Sequence, residues 1–271
     1  MQIGTNSNDV AWEPTAENGF DQEMLDWYRE YVRLHLRLWP YEWTLAQQIT
    51  ETGHPIQRPL GLQFPDLGTH PDDIYMFGPD LLVAPVVERG ARSKEVVFPP
   101  GAWVDWFNGE KHEPGTRDVA APLGKLPLFQ RVGSIVPLLR PTIDTLAPTG
   151  QPGRVDSYAT TPGVLYPRVA AGEPSSIELF DGTMLGQEAS GGNISLSAEQ
   201  GSQFVHGFVF ELVAFGDTAP ASVTSDGATL PERDSLAGLE GNDAGWFFDA
   251  ADGGRLFVKV PAGDHAVEIT R

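Results

Sequence analysis

The residues able to carry acid–base, metal or nucleophilic chemistry are scattered along this chain rather than grouped. Six histidines stand at positions 35, 54, 70, 112, 206 and 265, without the short spacings that bring ligands together on one face of an element. His35 falls beside arginines in a helical stretch and reads as a surface or rim residue rather than a ligand. His70 precedes the pair Asp72-Asp73. Such a group could bind a cation, though a capped turn is the commoner use of these residues. With no cysteine in the sequence, disulfides, thiolate catalysis and cysteine-held metals are excluded. Phosphate-loop, GxGxxG, HExxH, GxSxG and EF-hand patterns are all absent. No carboxylate pair can be assigned to general acid and base work by spacing, and no metal or cofactor is implied. The residues by themselves name no reaction.

The elements that would position a site are plainer. The densest apolar run, Leu81 to Val87, is interrupted only by Pro85 and follows the turn signal Gly78-Pro79-Asp80 and a smaller apolar patch at Ile74 to Phe77. Short, rich in Val and Leu, and bounded by turn residues, it predicts a strand buried on both faces. Pro85 has no N–H to give a ladder, so the strand must end at Ala84 or bulge at Pro85. Upstream, Met24, Trp27, Tyr28, Tyr31, Leu34 and Leu38 recur at three- and four-residue steps, widened by Leu25, Val32, Leu36 and Trp39. That period predicts a helix from Asp21 to Leu38, with Asn18 or Asp21 as its cap and Arg29, Arg33 and Arg37 as an opposite, charged face. Pro40 must kink or end it, and a second helical piece runs from Tyr41 to Glu51 until Gly53.

Beyond Gly53 the texture is β. Runs of β-forming residues from Glu95 to Phe98, Trp103 to Phe107, Ser134 to Leu138, Ser176 to Phe180, Asn193 to Ala198, Phe204 to Ala214, Trp246 to Asp249, Arg255 to Val260 and Ala266 to Thr270 are separated by Gly, Pro, Asn and Asp turn groups. Their spacing predicts antiparallel sandwiches. Phe204 to Phe215 is the best distal core strand and Trp246-Phe247-Phe248 its best partner. A Pro/Thr/Gly-rich passage from Arg140 to Gly163 marks a domain boundary or a long loop. The formal net charge of −19, from 37 acidic and 18 basic residues, repels nucleic acid and anionic lipid surfaces, so neither is an expected partner. No apolar run reaches the roughly 18 residues of a membrane span. The start, MQIGTNSNDVAWEP, lacks the basic and apolar regions of a signal peptide and reads as a chain entered in the middle. Nothing in the sequence assigns a compartment.

Five segments carry a family resemblance: residues 53–60 (GHPIQRPL), 64–66 (FPD), 72–86 (DDIYMFGPDLLVAPV), 90–109 (GARSKEVVFPPGAWVDWFNG) and 121–137 (APLGKLPLFQRVGSIVP). In order and interval they resemble the C-terminal half of glycoside hydrolase family 31, which includes α-glucosidases and α-xylosidases. The stretch from Trp27 to Leu45 is similar to that family's last barrel helix. The resemblance implies a mostly β fold, with two antiparallel β-sandwich domains preceded by one long α-helix left from the end of a (β/α)8 barrel. Residues 1–53 would be the last strand end, loop and helix of the barrel, 54–140 a proximal C-terminal sandwich and 141–271 a distal one. Under it Trp103, Trp106 and Phe107 are hairpin aromatics of a core rather than a sugar platform. Gly133 then serves a tight turn before the strand from Ser134, and Leu179-Phe180-Asp181-Gly182-Thr183 is similar to a YxDDG-like turn of the distal domain.

Retaining glycoside hydrolysis needs two carboxylates flanking the scissile bond, one as nucleophile and one as acid/base. In the family these lie on earlier barrel strands. The resemblance therefore implies that they precede Met1 and that this chain alone is inactive. Its partners would be the missing catalytic barrel and, through the intact enzyme, an α-linked glucoside or xyloside. The loop after the eighth barrel strand often holds a histidine in an MR-HG pattern and then a Pro-Trp dipeptide; here Met1-Gln2-Ile3-Gly4 and Ala11-Trp12 stand in those places. Gln2, Asn6, Asp9 and Trp12 are the candidates for lining a sugar subsite, by hydrogen bonds and ring stacking, with packing of the loop against the barrel rim as the alternative. A reading of another class is a free-standing carbohydrate-binding or structural β-sandwich protein without catalysis. A sugar binder should expose aromatics on one sheet face or loop cluster.

Overall fold

The structure, a computed structural model, describes residues 21–271. It opens on two helices, α1 (Gln22–Arg37) and α2 (Trp39–Thr52). Asp21 caps α1, its carboxylate accepting the Met24 N–H at 2.8 Å; Asn18 lies outside the described residues. Pro40 sits in the first turn of α2, where its missing N–H costs no hydrogen bond, so it separates two helices rather than kinking one. Gly53, at φ +70°, closes α2 in the left-handed conformation.

The chain then gives β1 (Gln57–Pro59), α3 (Leu60–Gln63), a 3-10 turn at Pro65–Leu67, β2 (Tyr75–Phe77) and β3 (Leu81–Val83). After these come β4 (Ser93–Phe98), β5 (Trp103–Asp105), β6 (Lys111–His112), β7 (Gly115–Ala120), β8 (Leu128–Arg131) and β9 (Ser134–Leu138). A first antiparallel sheet has the order β1-β2-β3-β8-β5-β6, and β4 pairs with β7. Strand β3 lies inside that sheet with Leu81, Leu82 and Val83 all buried. It faces two cores: Leu82 meets Met76, Phe98, Trp103 and Phe129, while Leu81 and Val83 meet α2. The Ala84 N–H still reaches the Pro127 carbonyl at 3.0 Å. Pro85 then ends the ladder, as its chemistry requires.

The remaining elements are β10 (Tyr166–Ala170), β11 (Ser175–Glu178), β12 (Met184–Ser190), β13 (Asn193–Glu199), β14 (Phe208–Leu212), β15 (Ser222–Ser225), β16 (Ala228–Thr229), α4 (Leu236–Glu240), β17 (Gly245–Asp249), β18 (Arg255–Val260) and β19 (His265–Thr270). They complete a second sheet, β17-β18-β14-β10-β9, and form a third, β11-β12-β13-β19-β15-β16. The second and third sheets share a core that includes Phe208, Phe210, Leu256 and Val258 on one side and Leu185, Leu196, Val267 and Ile269 on the other. The second sheet's other face turns Val136, Tyr166, Val209 and Phe257 toward Leu38, Tyr41 and Leu45 of the helical segment. It is therefore a middle layer, buried on both sides.

Two features differ from the reading of the sequence. The ladders are not all antiparallel, because β10 and β14 run parallel, Arg168 opposite Glu211. Strand β17, with Trp246, pairs with β18, which separates it from β14, so the two most aromatic runs share a sheet without touching as neighbours. The passage from residue 140 to 163 is a long loop, one of the two readings of that stretch, and joins β9 to β10, antiparallel neighbours in one sheet. It is tied by Arg140, whose guanidinium grips the Asp156 carboxylate and donates to the Pro162 carbonyl at 2.7 Å. Arg140 also holds the Asp156 carboxyl below the usual range for an aspartate.

Candidate functional site

The four sugar-subsite candidates, Gln2, Asn6, Asp9 and Trp12, lie outside the described residues. The other chemistry-bearing side chains of the sequence resolve into structural roles. Asp73 pairs with Lys94 and His70 lays its ring against Gly61. Among the described residues no group of three His, Asp or Glu side chains could hold a metal ion. His35 is exposed beside Glu42, His112 stacks on Phe98 in the core at 4.8 Å, and His265 contacts Asp226 at 2.8 Å. Asp181 folds its turn back on itself, accepting the Thr183 and Gln203 N–H groups at 3.1 and 2.9 Å. Trp103 is fully buried and donates to the Pro99 carbonyl at 3.0 Å.

Trp106 and Phe107 instead line a cleft of about 510 Å³ between α1 and the inner face of the second sheet. The charged face of α1 forms the other wall, so Arg29, Arg33 and Arg37 do not simply look into solvent. Strand alternation aims Arg168 and Glu211 at the same cleft, since they fall on the face that carries Tyr166 and Val209. Parallel register sets Arg168 beside Glu211, and they pair at 2.8 Å. Arg168 also donates to the Trp106 carbonyl at 2.6 Å, with its guanidinium carbon 4.1 Å from the centre of the Trp106 ring. An arginine stays protonated in proteins, so such walls suit binding and charge pairing rather than proton transfer. The sequence did carry a signal for these residues: Arg168 and Glu211 are the charged members of otherwise uncharged runs, YPRVA and FVFEL.

Among the described residues the helices are locked to the sheets on one side. Tyr31 donates to the Gly124 carbonyl at 2.8 Å and accepts the Leu126 N–H at 2.7 Å. Trp39 sits against Tyr158 and Phe180, with ring centres 4.5 and 5.1 Å away. Thr44 accepts the Phe180 N–H at 3.2 Å. Tyr41 is wholly buried and donates to Asp80 at 3.0 Å. Val32, Trp43 and Ile49 remain 36%, 47% and 37% exposed.

Burial of the Asp80 carboxyl pushes it up to about 6, against the opposing effects of the Tyr41 hydroxyl and of Arg131 and Arg58. The folded state therefore holds this proton more tightly than the unfolded chain, where an aspartate titrates near about 3.9. Its contribution is present at low pH and is lost as pH rises through about 6. The residue keeps some solvent contact, so the loss between pH 5 and pH 7 is on the order of 1 kcal/mol. Asp80→Asn should flatten that part of the curve. Urea midpoints at the two pH values check this, and an equal fall in the variant and the parent would rule it out.

The segments around this framework match a known family model, the glycosyl hydrolase family 31 C-terminal domain, over residues 53–136. By that match the chain resembles glycosyl hydrolase family 31. The family 31 likeness extends past that domain. An isomaltosyltransferase from Sporosarcina globispora is 28% identical over 97% of this chain, and an α-xylosidase from Saccharolobus solfataricus is 39% identical over 44% of it. The solved cycloalternan-forming enzyme from Listeria monocytogenes, in complex with a pentasaccharide substrate, superposes on 98% of the chain with a TM-score of 0.83 at 26% identity. The chain spans 24% of the isomaltosyltransferase, 17% of the α-xylosidase and 25% of the cycloalternan-forming chain. Mostly β, with antiparallel sheets and few helices, this fold is the one those C-terminal regions share.

Proposed function

We propose that this chain serves as the C-terminal portion of a retaining α-glycosidase acting on α-linked glucosides or xylosides, in which the sheets hold α1 and α2 against a catalytic (β/α)8 barrel. The observation that carries the reading is the two-sided character of those helices. One side is built into both cores through Leu38, Tyr41, Leu45, Leu36 and Trp39, while Val32, Trp43 and Ile49 stay partly exposed. Exposed large apolar side chains on a well-anchored helix mark a contact surface. In this reading residues 1–53 are the last barrel unit, 54–140 the proximal and 141–271 the distal sandwich, and Gln2, Asn6, Asp9 and Trp12 line a sugar subsite at the barrel mouth. The nucleophile and acid/base come from the barrel and not from this chain.

A second reading concerns the outcome of the reaction. Among the curated sequence relatives the isomaltosyltransferase aligns along 97% of this chain, whereas the α-xylosidase and α-glucosidase matches cover less than half of it; among solved structures a dextranase superposes on 93%. Passing an α-glucosyl unit to another sugar is thus a second outcome beside passing it to water. A free-standing sugar binder is disfavoured by the burial of Trp103 and Trp106.

The purified chain should show no turnover of an α-glucoside above a blank preparation, and the product of the longer reading frame, barrel included, should show it. Turnover by the chain alone would overturn the division of labour. Chromatography of the longer protein's products separates the two outcomes, since hydrolysis yields free monosaccharide and transfer yields lengthened or cyclised saccharides.

A further inference from the structure

A second cleft, of about 480 Å³, opens on another flank of α1, where the helix meets the loops that follow β3 and β7. Met24, Trp27 and Tyr28 form the helical wall, Leu123 stands opposite at 63% exposure, and the exposed side chains of Glu88 and Arg92 complete the lining. The walls are fixed from behind. The Trp27 indole lies against Gly124, where a Cβ would fall 2.3 Å from its Cε2, and Tyr31 holds the same loop through the Gly124 carbonyl and the Leu126 N–H. Lys125 also lines the cleft, but its ammonium is taken up by Asp105 at 2.9 Å. Glu88 and Arg92 then balance each other in charge, so the lining suits a neutral ligand. A mainly apolar hollow of this size, with aromatic walls and a few polar groups, is the usual form of a small-molecule site.

Its place in the fold narrows the ligand. On the glycosidase reading α1 is the last barrel helix, and a barrel helix begins at the face where the strands end, which is the catalytic face. Residues 1–20, with Gln2, Asn6, Asp9 and Trp12 among them, lead directly into the cap at Asp21. Met24, Trp27 and Tyr28 fall in the first two turns after that cap. The cleft therefore opens at the same end of the barrel as the proposed sugar subsite.

We propose that this cleft is an outer binding site for an α-linked gluco-oligosaccharide. The Trp27 and Tyr28 rings take the apolar C–H faces of the sugar, the Glu88 carboxylate accepts from its hydroxyls and the Arg92 guanidinium donates to them. The inference rests on the glycosidase reading and gives that enzyme a substrate class: chains long enough to reach past the barrel mouth onto the proximal sheet domain.

Isothermal titration of the purified chain with maltotriose and isomaltotriose, against the β-linked cellotriose, tests the site directly. A saturable heat with at least one α-linked trisaccharide, at a Kd on the order of 1 mM, and none with cellotriose is the expected result. Tyr28→Ala should weaken binding about tenfold. Trp27→Ala should do the same, and if it fails to fold because Trp27 also seats α1 on Gly124, the half-exposed Tyr28 decides. No saturation in the parent, or equal heats with the β-linked sugar, would overturn the proposal. In the longer protein with its barrel, the preference in kcat/KM for maltoheptaose or isomaltoheptaose over an aryl α-glucoside should fall about tenfold in Tyr28→Ala; an unaltered preference overturns the outer site while leaving the glycosidase reading intact. A longer protein inert toward every α-glucoside would instead overturn that reading, and the titration of the chain alone would then decide the cleft. Binding by the chain that vanishes in the longer protein would mean that the barrel fills the cleft, and the sugar site would fall.

Discussion

Gly78→Ala is expected to cost about 3 kcal/mol of stability, more than any other single methyl group added to the β2–β3 turn. Two effects add. The residue has φ +63°, where a side chain costs about 1 kcal/mol relative to glycine. Its Cβ would also fall against the Tyr41 hydroxyl, 2.7 Å from the Tyr41 Cζ and 2.6 Å from the Leu45 Cδ1. Neither partner can yield cheaply: Tyr41 is wholly buried and bonded to Asp80, and the Gly78 N–H is held by the Ile56 carbonyl at 2.7 Å. The strain must therefore move α2 away from the first sheet, and with it the exposed face proposed to meet the barrel. Urea denaturation of the parent, Gly78→Ala and Gly78→Ala/Tyr41→Phe checks this. The double variant should recover only part of the loss, because removing the hydroxyl leaves the ring carbon and Leu45 in place. A loss below about 1 kcal/mol in Gly78→Ala would show that α2 is not fixed by this contact.

Arg168→Met is expected to destabilise by about 3 to 5 kcal/mol, because it strands Glu211 in a layer covered on both sides. The two side chains are 7% and 8% exposed, so water cannot replace the lost partner. Arg168→Met/Glu211→Leu should regain most of that loss, since a buried ion pair contributes little over apolar groups of similar size while half of one is costly. The recovery should stop short of complete. Arg168 also satisfies the Trp106 carbonyl at 2.6 Å, and that acceptor stays orphaned in the double variant. A double-mutant cycle reads the coupling directly. Single losses that merely add would mean that Glu211 finds another cation, with Arg37 the nearest candidate by its electrostatic effect.

The sequence by itself determined the local elements and the family resemblance. The helices from Gln22 and Trp39 follow from a period of three and four residues and from Asp21, Pro40 and Gly53, all of which act within a turn of where they stand. The short buried strand at Leu81 and its stop before Pro85 follow from apolar content and a missing N–H. The motifs between residues 53 and 136 identify the domain because a turn or a hairpin needs its glycines, prolines and aromatics at fixed intervals. Strand β10, in contrast, gave no alternation to read. Both its faces are covered, one by the third sheet and the other by the helices and first sheet, so its pattern is buried throughout.

Only the tertiary structure decided which strands meet. That β18 comes between β14 and β17, that β10 runs parallel to β14, and that residues 140–163 return the chain to the same sheet are all non-local pairings. Two-residue periodicity cannot choose among partners of equal pattern. The arginine-lined cleft is the same case. Arg37, Arg168 and Arg255 are far apart in the chain and individually look like surface charges. The helix period turns the first toward the sheet, parallel register sets the second beside Glu211, and their convergence on one cavity is produced by the fold alone.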